Sequence, residues 1–444
     1  MRVAIWFLVV VACGAQTVAA QPRPQTRPNV VLIITDDVGY GDIGSYGAPD
    51  IKTPNIDSLA RDGTRLTDFY AAPACTPTRA ALITGRYQQR ARLEVPLPSP
   101  GPNGDLGLRP SGRSLPQLLK NNGYRTALVG KWHLGFTQPL SPIAHGFDYF
   151  FGFKSGYIDY YQHTGGDGKH DLFENDEPTH VTGYMTDLIT QRSVRFIEDN
   201  AAQPFFLEVA YNAAHWPFQV PDRPSVADRN ARFVQPQEDP TASREDYVAI
   251  VERADQGVGQ ILAALDRRGL AANTLVIFTN DNGGEWLSRN APLFHRKQSV
   301  WEGGIRVPAL LRWPGRIPAG KASSQVGIVM DLTVTILAAT GTPVPADARL
   351  EGIDLLPLLR EGQSRLERTV FFRYTLPARR QRAVRQGDWK LMLDGNNPML
   401  FNLANDVGER DDLANRRTDI VRRLFPLIVQ WEQDVDAEAK ALAQ

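Results

Sequence analysis

Short apolar runs alternate with longer segments of helical period along most of the chain. Val30–Ile34 is an unbroken apolar run of strand length, and Thr126–Val129, Pro204–Ala210 and Thr274–Thr279 are further strand-like runs. Between them, Pro54–Asp62 places Ile56, Leu59 and Ala60 at helical spacing, and Ser114–Asn122 and Thr186–Asn200 read as amphipathic helices. Tyr247–Arg268 is a long helix with Val248, Val251, Ile261 and Leu265 on its apolar side, and Leu332–Ala339 adds another. Buried strands separated by helices predict an α/β protein: a large mixed, mostly parallel sheet sandwiched by helices.

The texture changes after Gly341. Pro343, Pro345 and a charged stretch precede three β-type runs, Thr369–Tyr374, Gln381–Arg385 and Trp389–Leu393, set apart by Gly and Asp as in an antiparallel meander. An amphipathic helix follows from about Thr418 to Leu442. The expected division is a large N-terminal domain over residues 28–362 and a smaller C-terminal α+β subdomain over 363–444. Residues 1–20 read as an export signal: Arg2 gives a positive start, Ala4–Ala12 is apolar, and Val18, Ala19 and Ala20 are small. Residues 21–28 form a Pro- and Arg-rich lead-in, and no apolar run is long enough for a transmembrane span. The expectation is therefore a periplasmic or extracellular protein, with lipid anchoring at Cys13 as the minority alternative.

At 444 residues, 42% of them hydrophobic, the chain can build a large core without disulfide or metal staples. Lys plus Arg and Asp plus Glu each number 49, and this balance argues against a nucleic-acid partner. It leaves the oligomeric state open. Only two cysteines are present, and removal of the signal leaves Cys75 alone, without a disulfide partner. Such a cysteine often serves as a small buried hydrophobe. Its neighbours point elsewhere. Pro77 suits a first helical turn, Ala80–Ile83 continue it and Gly85 can end it. Cys75 then stands at a helix N-terminus, where free N–H groups attract anions, with Arg79 one turn along the same face.

Polar residues gather where the strand-like runs end. Val30–Ile34 runs into Asp36 and Asp37, Thr274–Thr279 into Asn280, Asp281 and Asn282, Thr126–Val129 into Lys131 and His133, and Pro204–Ala210 into Asn212 and His215. Ligands of open α/β sheets bind outside the carboxyl ends of the strands. Asp36, Asp37, Asp281 and Asn282 offer oxygen donors only, a set suited to calcium or magnesium rather than zinc. One such pair commonly makes a turn or a cap; two at equivalent strand ends favour a metal.

Cys75-Thr76-Pro77-Thr78-Arg79, followed by Leu82, Gly85 and Arg86, resembles the signature of the formylglycine-dependent sulfatases. Thr35–Asp37 with Gly39–Asp42, Gly130–Gly135, His215–Pro217, Asp281–Gly284, Lys297 ahead of Glu302–Pro308, Gly387–Leu391 and Leu400–Leu403 extend the resemblance over residues 28–415. Thr78 stands where that signature more often has Ser. The chain looks most like the arylsulfatase and N-acetylgalactosamine-6-sulfatase branch. The resemblance implies oxidation of Cys75 to formylglycine by a generating enzyme, and one calcium ion, with magnesium second, on Asp36, Asp37, Asp281, Asn282 and modified Cys75. It also implies that Arg79 bonds the modified residue, that Lys131 and Lys297 contact sulfate, and that His133 acts as base. His215, with Lys297, would protonate the leaving alcohol. The implied substrate is a sulfated carbohydrate or aryl sulfate. Two alternatives stay open: a phosphodiesterase or phosphonate monoester hydrolase of the same superfamily, and, with Cys75 unconverted, a non-catalytic sulfated-glycan-binding protein. Asn282 in place of histidine favours sulfate. His145, His163, His170, His180 and His295 are left as structural or substrate-lining, Asp255 as structural, and Tyr157–Pro178 as a substrate loop or an ordinary surface loop.

Overall fold

A computed structural model describes residues 27–98, 106–223, 242–360 and 363–441. The expected signal over 1–20, Cys13, and the last residue of the C-terminal helix, Leu442, lie outside the described residues. In chain order the strands are β1 (Asn29–Thr35), β2 (Thr64–Leu66), β3 (Phe69–Tyr70), β4 (Arg125–Lys131), β5 (Tyr149–Phe153), β6 (Phe173–Glu174), β7 (Glu177–Pro178), β8 (Phe205–Ala210), β9 (Thr274–Asn280), β10 (Ala309–Arg312), β11 (Lys321–Ser323), β12 (Gly327–Ile328), β13 (Thr369–Leu376), β14 (Arg379–Gln386), β15 (Trp389–Asp394) and β16 (Asn397–Asn402). The α-helices are α1 (Pro54–Arg61), α2 (Cys75–Thr84), α3 (Leu115–Asn121), α4 (Met185–Asp199), α5 (Arg244–Arg267), α6 (Glu302–Ile305), α7 (Val329–Ala339) and α8 (Thr418–Ala441).

Ten strands make the main sheet in the order β11-β2-β10-β9-β1-β8-β4-β5-β6-β7. Its centre, β9, β1, β8, β4 and β5, is parallel, while β10 pairs antiparallel with β9 and β2. Strand alternation sorts the core into two layers. Val31 and Ile33 of β1 face a cluster covered by α1, α4 and α5, whereas Val30, Leu32 and Ile34 face one covered by α2, α3 and α7. The expected mixed, mostly parallel sheet between helices is therefore what the chain forms.

The C-terminal strands β13-β14-β15-β16 form a separate antiparallel sheet. One face packs through Val370, Phe372, Tyr374, Ala383 and Met392 onto Tyr70, Val300 and Ile305 of the larger layer. The other packs through Val384, Leu391, Leu393 and Leu400 onto Ile420, Leu424 and Ile428 of α8. The meander has four strands rather than three, because Asn397–Asn402 also pairs, with β15. Asp255 of α5 is structural: its carboxylate accepts the N–H of Asn55 and Ile56 and caps the start of α1. Among the described residues no helix is long and apolar enough to cross a membrane.

Candidate active site

Helix α2 begins at Cys75 and stops after Thr84, where Gly85 takes φ 65 and its N–H bonds the Ala81 carbonyl. A side chain at Gly85 would also strike Leu350, since a Cβ there would lie 2.7 Å from that leucine. The helix start is fully buried, and it aims Cys75 at the carboxyl edge of the main sheet. The Cys75 Sγ lies 3.2 Å from Nδ1 of His133. Thr76 Oγ1 donates to the His133 carbonyl at 3.1 Å and accepts the Leu97 N–H at 3.1 Å, tying the helix start to the loop after β4. Gly156 makes room for the imidazole, because a Cβ there would come within 2.6 Å of the ring.

Hydrogen bonding sets the state of both imidazoles. His133 Nε2 faces the Leu97 carbonyl at 3.1 Å, and a carbonyl only accepts, so Nε2 carries the proton and Nδ1 offers a lone pair to Cys75. Burial, then the charge of Lys131, holds its pKa well below the usual histidine value. His215 puts Nδ1 2.7 Å from the Trp216 carbonyl and Nε2 3.6 Å from Asp37. Burial and Lys297 depress its pKa too, although Asp37 pulls the other way. Burial thus favours the neutral form of both rings. Lys297 is the charged donor on that side: burial disfavours its charge, but Asp37 and the neighbouring anionic groups raise its pKa.

The other residues close around the same space. Arg79 donates to Asp281 at 2.9 Å and to the Lys131 carbonyl at 3.0 Å, Lys131 meets Asp36 at 2.5 Å, and Lys297 meets Asp37 at 2.7 Å. Asp37 and His133 sit at φ 60 and 54, a region such residues seldom adopt and one that clusters at functional sites. The structure thus links Asp36 to Lys131, Asp37 to His215, Asn282 and Lys297, Cys75 to His133, and Arg79 to Asp281, whereas Arg86 of the cysteine segment turns away to Glu438 of α8.

Three oxygens in this cluster stand apart. Oδ1 of Asp36, Asp281 and Asn282 are buried and have no hydrogen-bond partner. The Asn282 amide is oriented by its own NH2 group, which donates to Asp37 at 2.7 Å and to the Gly283 carbonyl at 3.0 Å. Buried unsatisfied acceptors are costly, and a carboxylate and amide set of this kind fits a hard divalent cation. Burial and repulsion from Asp281 also raise the Asp36 pKa against the pull of Lys131, a conflict that a cation would relieve. Asp37 differs, because Lys297 and Asn282 already occupy its oxygens and hold its pKa at about 2 despite burial. Asp36, Asp37 and His215 could also converge on an ion, their donor atoms lying within 4.8 Å of one another. The unsatisfied atoms are the better guide, and they favour the all-oxygen set.

Among the remaining histidines, His145, His163 and His170 bond backbone carbonyls of Leu108, Gly183 and Thr179, and His180 stacks on His170. Tyr157, from the proposed substrate loop, stacks on His215 with ring centres 5.8 Å apart and meets Trp216 at 4.0 Å. Strand periodicity gives no sign that Tyr374, from the C-terminal sheet, shares a buried cluster with Ala74, the residue before Cys75, and with Val300. Burial raises its hydroxyl pKa to about 12, and the charges of Lys297 and Cys75 both act on it.

Fixed positive charge around a small buried space, with a neutral base beside it, binds and turns over an oxyanion; the class so defined is a hydrolase of anionic esters on an α/β sheet. The Sulfatase family model matches residues 28–342, and the model for the N-sulphoglucosamine sulphohydrolase C-terminal region matches 292–436. N-acetylgalactosamine-6-sulfatase of Canis lupus familiaris is 32% identical over 96% of this chain and 89% of that protein. Arylsulfatase J of Mus musculus is 30% identical over 92% of this chain and 76% of that protein. The crystal structure of Ps i-CgsB, also solved in complex with k-i-k-neocarrahexaose, matches with TM-score 0.83 at 32% identity, covering 92% of this chain and 93% of that one. The chain belongs to the sulfatase family, and it is a sulfuric ester hydrolase.

Proposed function

We propose that this sulfatase is exported and removes sulfate from sulfated saccharides, with Cys75 as the precursor of its nucleophile. The observation that carries the reading is the meeting of Cys75 with the unprotonated Nδ1 of His133 at 3.2 Å, beside the three unsatisfied oxygens. The saccharide class rests on relatives that include an N-acetylgalactosamine-6-sulfatase and a structure holding a neocarrahexaose. Export rests on residues 1–20, outside the described residues. Residues 28–362 are read as the catalytic domain and 363–444 as an appended subdomain.

In this reading Asp36, Asp281 and Asn282 hold a calcium ion, joined by Asp37 once Lys297 turns to substrate, and by the oxygen that replaces the Cys75 sulfur. Bound there, the ion would supply positive charge against the sulfate and align the nucleophile. Formylglycine at position 75 would supply a hydrated aldehyde, one hydroxyl for attack on sulfur and a second to release sulfate. Arg79 orients that residue from one turn below, while holding Asp281. Lys131 and Lys297 neutralise sulfate oxygens, and His133 takes a proton at Nδ1. Lys297 is charged before substrate arrives and His215 is neutral, so Lys297 is the proton reserve for the departing alcohol, with His215 relaying.

The test is mass and turnover together. The Cys75 peptide from active enzyme should be lighter than its thiol form by about 18 Da, the thiol-to-aldehyde difference. Enzyme that hydrolyses sulfated saccharides at full rate with an intact thiol at Cys75 would overturn the reading.

A further inference from the structure

The two faces of the C-terminal sheet treat their arginines differently. Strands β13 and β14 turn over at Pro377 and Ala378, with Leu376 opposite Arg379 and Tyr374 opposite Gln381. Alternation then puts Arg380, Arg382 and Val384 on one face, and Arg379, Gln381, Ala383 and Arg385 on the other. On the first face Arg380 and Arg382 both meet Glu432 of α8, at 2.8 and 3.3 Å. On the second, Arg385 meets Asp68 at 2.6 Å, and Gln381 accepts the Val300 N–H at 3.2 Å. This second face therefore lies on the loop that carries Lys297.

Arg379 is the next residue along that face beyond Gln381, and it is half-buried. It is the one arginine of β14 that makes no ion pair or hydrogen bond among the described residues. Asp394, opposite Gln381 on the same face, is engaged by the Gln381 amide at 2.8 Å. The charge of Arg379 acts on Tyr374, which also feels Lys297 and Cys75, and on His295, two residues before Lys297. An unpaired guanidinium thus stands on the sheet face that packs, through Gln381 and Val300, against the loop of Lys297. Its planar fork suits an oxyanion held by two hydrogen bonds.

We propose that Arg379 is an anion subsite: it binds a second sulfate or carboxylate of a polyanionic saccharide, away from the ester being cleaved. The inference rests on the saccharide reading above and adds what selects among saccharides. Lys131 and Lys297 serve the scissile sulfate, and Arg379, delivered by a different sheet, reads its neighbour.

The test uses three disaccharides sharing one scissile sulfate ester and carrying beside it a second sulfate, a carboxylate or a hydroxyl. Replacing Arg379→Ala should raise KM for the first two by about tenfold more than for the third, with kcat within about threefold, as expected for lost ground-state binding. Arg379→Lys should recover part of the loss, because charge returns without the fork. The difference between the two anionic compounds tells sulfate from carboxylate. Equal KM factors on all three, or none, overturn the proposal. If the unaltered enzyme cleaves none of them, the saccharide reading fails instead. Calorimetric binding of the same three to Cys75→Ala, with and without Arg379→Ala, then decides the subsite alone. About tenfold weaker binding of the anionic pair supports it, and equal or unmeasurable affinity overturns it.

Discussion

Two buried charge clusters, one at the carboxyl edge of the main sheet and one under the C-terminal sheet, each set three carboxylates against three cations and use them differently. The first sets Asp36, Asp37 and Asp281 against Lys131, Lys297 and Arg79. The second sets Asp68, Glu302 and Glu409 against Lys390, Arg306 and Arg385. In the second every carboxylate oxygen faces a cation or a donor, although Glu409 Oε1 meets Lys390 only as an ion pair, without a hydrogen bond. Glu302 meets Lys390 at 2.9 Å, Arg306 at 3.1 Å and the Tyr70 hydroxyl at 2.7 Å, and Glu409 meets Lys390 at 2.8 Å and the Glu302 N–H at 2.7 Å. In the first, Asp36, Asp281 and Asn282 each keep one oxygen that faces neither a cation nor a donor. A closed network holds two layers of a protein together. An open one is arranged for something that arrives.

The largest effect should come from opening the comparison at Cys75. Cys75→Ala should cut turnover by roughly a thousandfold or more, since it removes the group on which the other residues act. The same change should move the urea unfolding free energy by only about 1 kcal/mol, the cost of a small buried truncation. Substantial hydrolysis by the variant would dissolve the distinction between the clusters. The converse holds for Lys390. Lys390→Met leaves Glu302 and Glu409 facing each other in a buried site, and a broken buried pair costs about 3–5 kcal/mol, read as a lower urea midpoint. The double change K390M/E409Q should recover part of that loss. No recovery would mean that packing, rather than charge, joins the layers.

How much of this the chain announces differs between the clusters. Asp36, Asp37, Lys131, His133, His215, Asp281 and Asn282 all end or follow buried strands, so the short apolar runs point straight at them. Cys75 and Arg79 are legible because Pro77 and Gly85 mark a helix with its start at Cys75. The second cluster has no such marker. Asp68, Glu302, Arg306 and Glu409 come from short elements and loops, Arg385 and Lys390 from β14 and β15, and their convergence depends on how the two sheets dock. Arg379 is hidden for the same reason, being one of four arginines in β14 until the sheet's two faces are told apart. Strands β2, β10 and β11 escape notice because three or four residues carry too little alternation to register.

Calcium sharpens the contrast at intermediate size. If the three free oxygens hold it, the ion at about a hundred times its Kd should raise the unfolding free energy by about 2.7 kcal/mol, and a chelator should reverse the gain. Asp281→Asn should blunt the response, whereas K390M, though less stable, should respond in full. Identical midpoints with saturating calcium and with chelator would leave those oxygens without an explanation.

The smallest effect concerns a carboxyl that joins neither cluster. Glu208 lies in β8 between Leu32 of β1 and Leu128 of β4, buried, with one carboxyl oxygen lacking any partner. Burial raises its pKa from 4.5 to about 7, and only the charge of Arg79 draws it back. Where the second cluster sets its carboxylates against cations and the first leaves oxygens unsatisfied, burial at Glu208 favours the protonated form. A folded pKa above the unfolded one favours the native state at low pH, and the advantage fades as pH rises through about 7. Between pH 5.5 and 8 this should remove about 2 kcal/mol of stability, at about 1.4 kcal/mol per pKa unit. Glu208→Gln, permanently neutral, should flatten that part of the profile and be the more stable form above neutrality. A variant whose stability falls over the same range as steeply as the parent's would mean that Glu208 is ionised in the folded protein, held by Arg79 as a member of the first cluster after all.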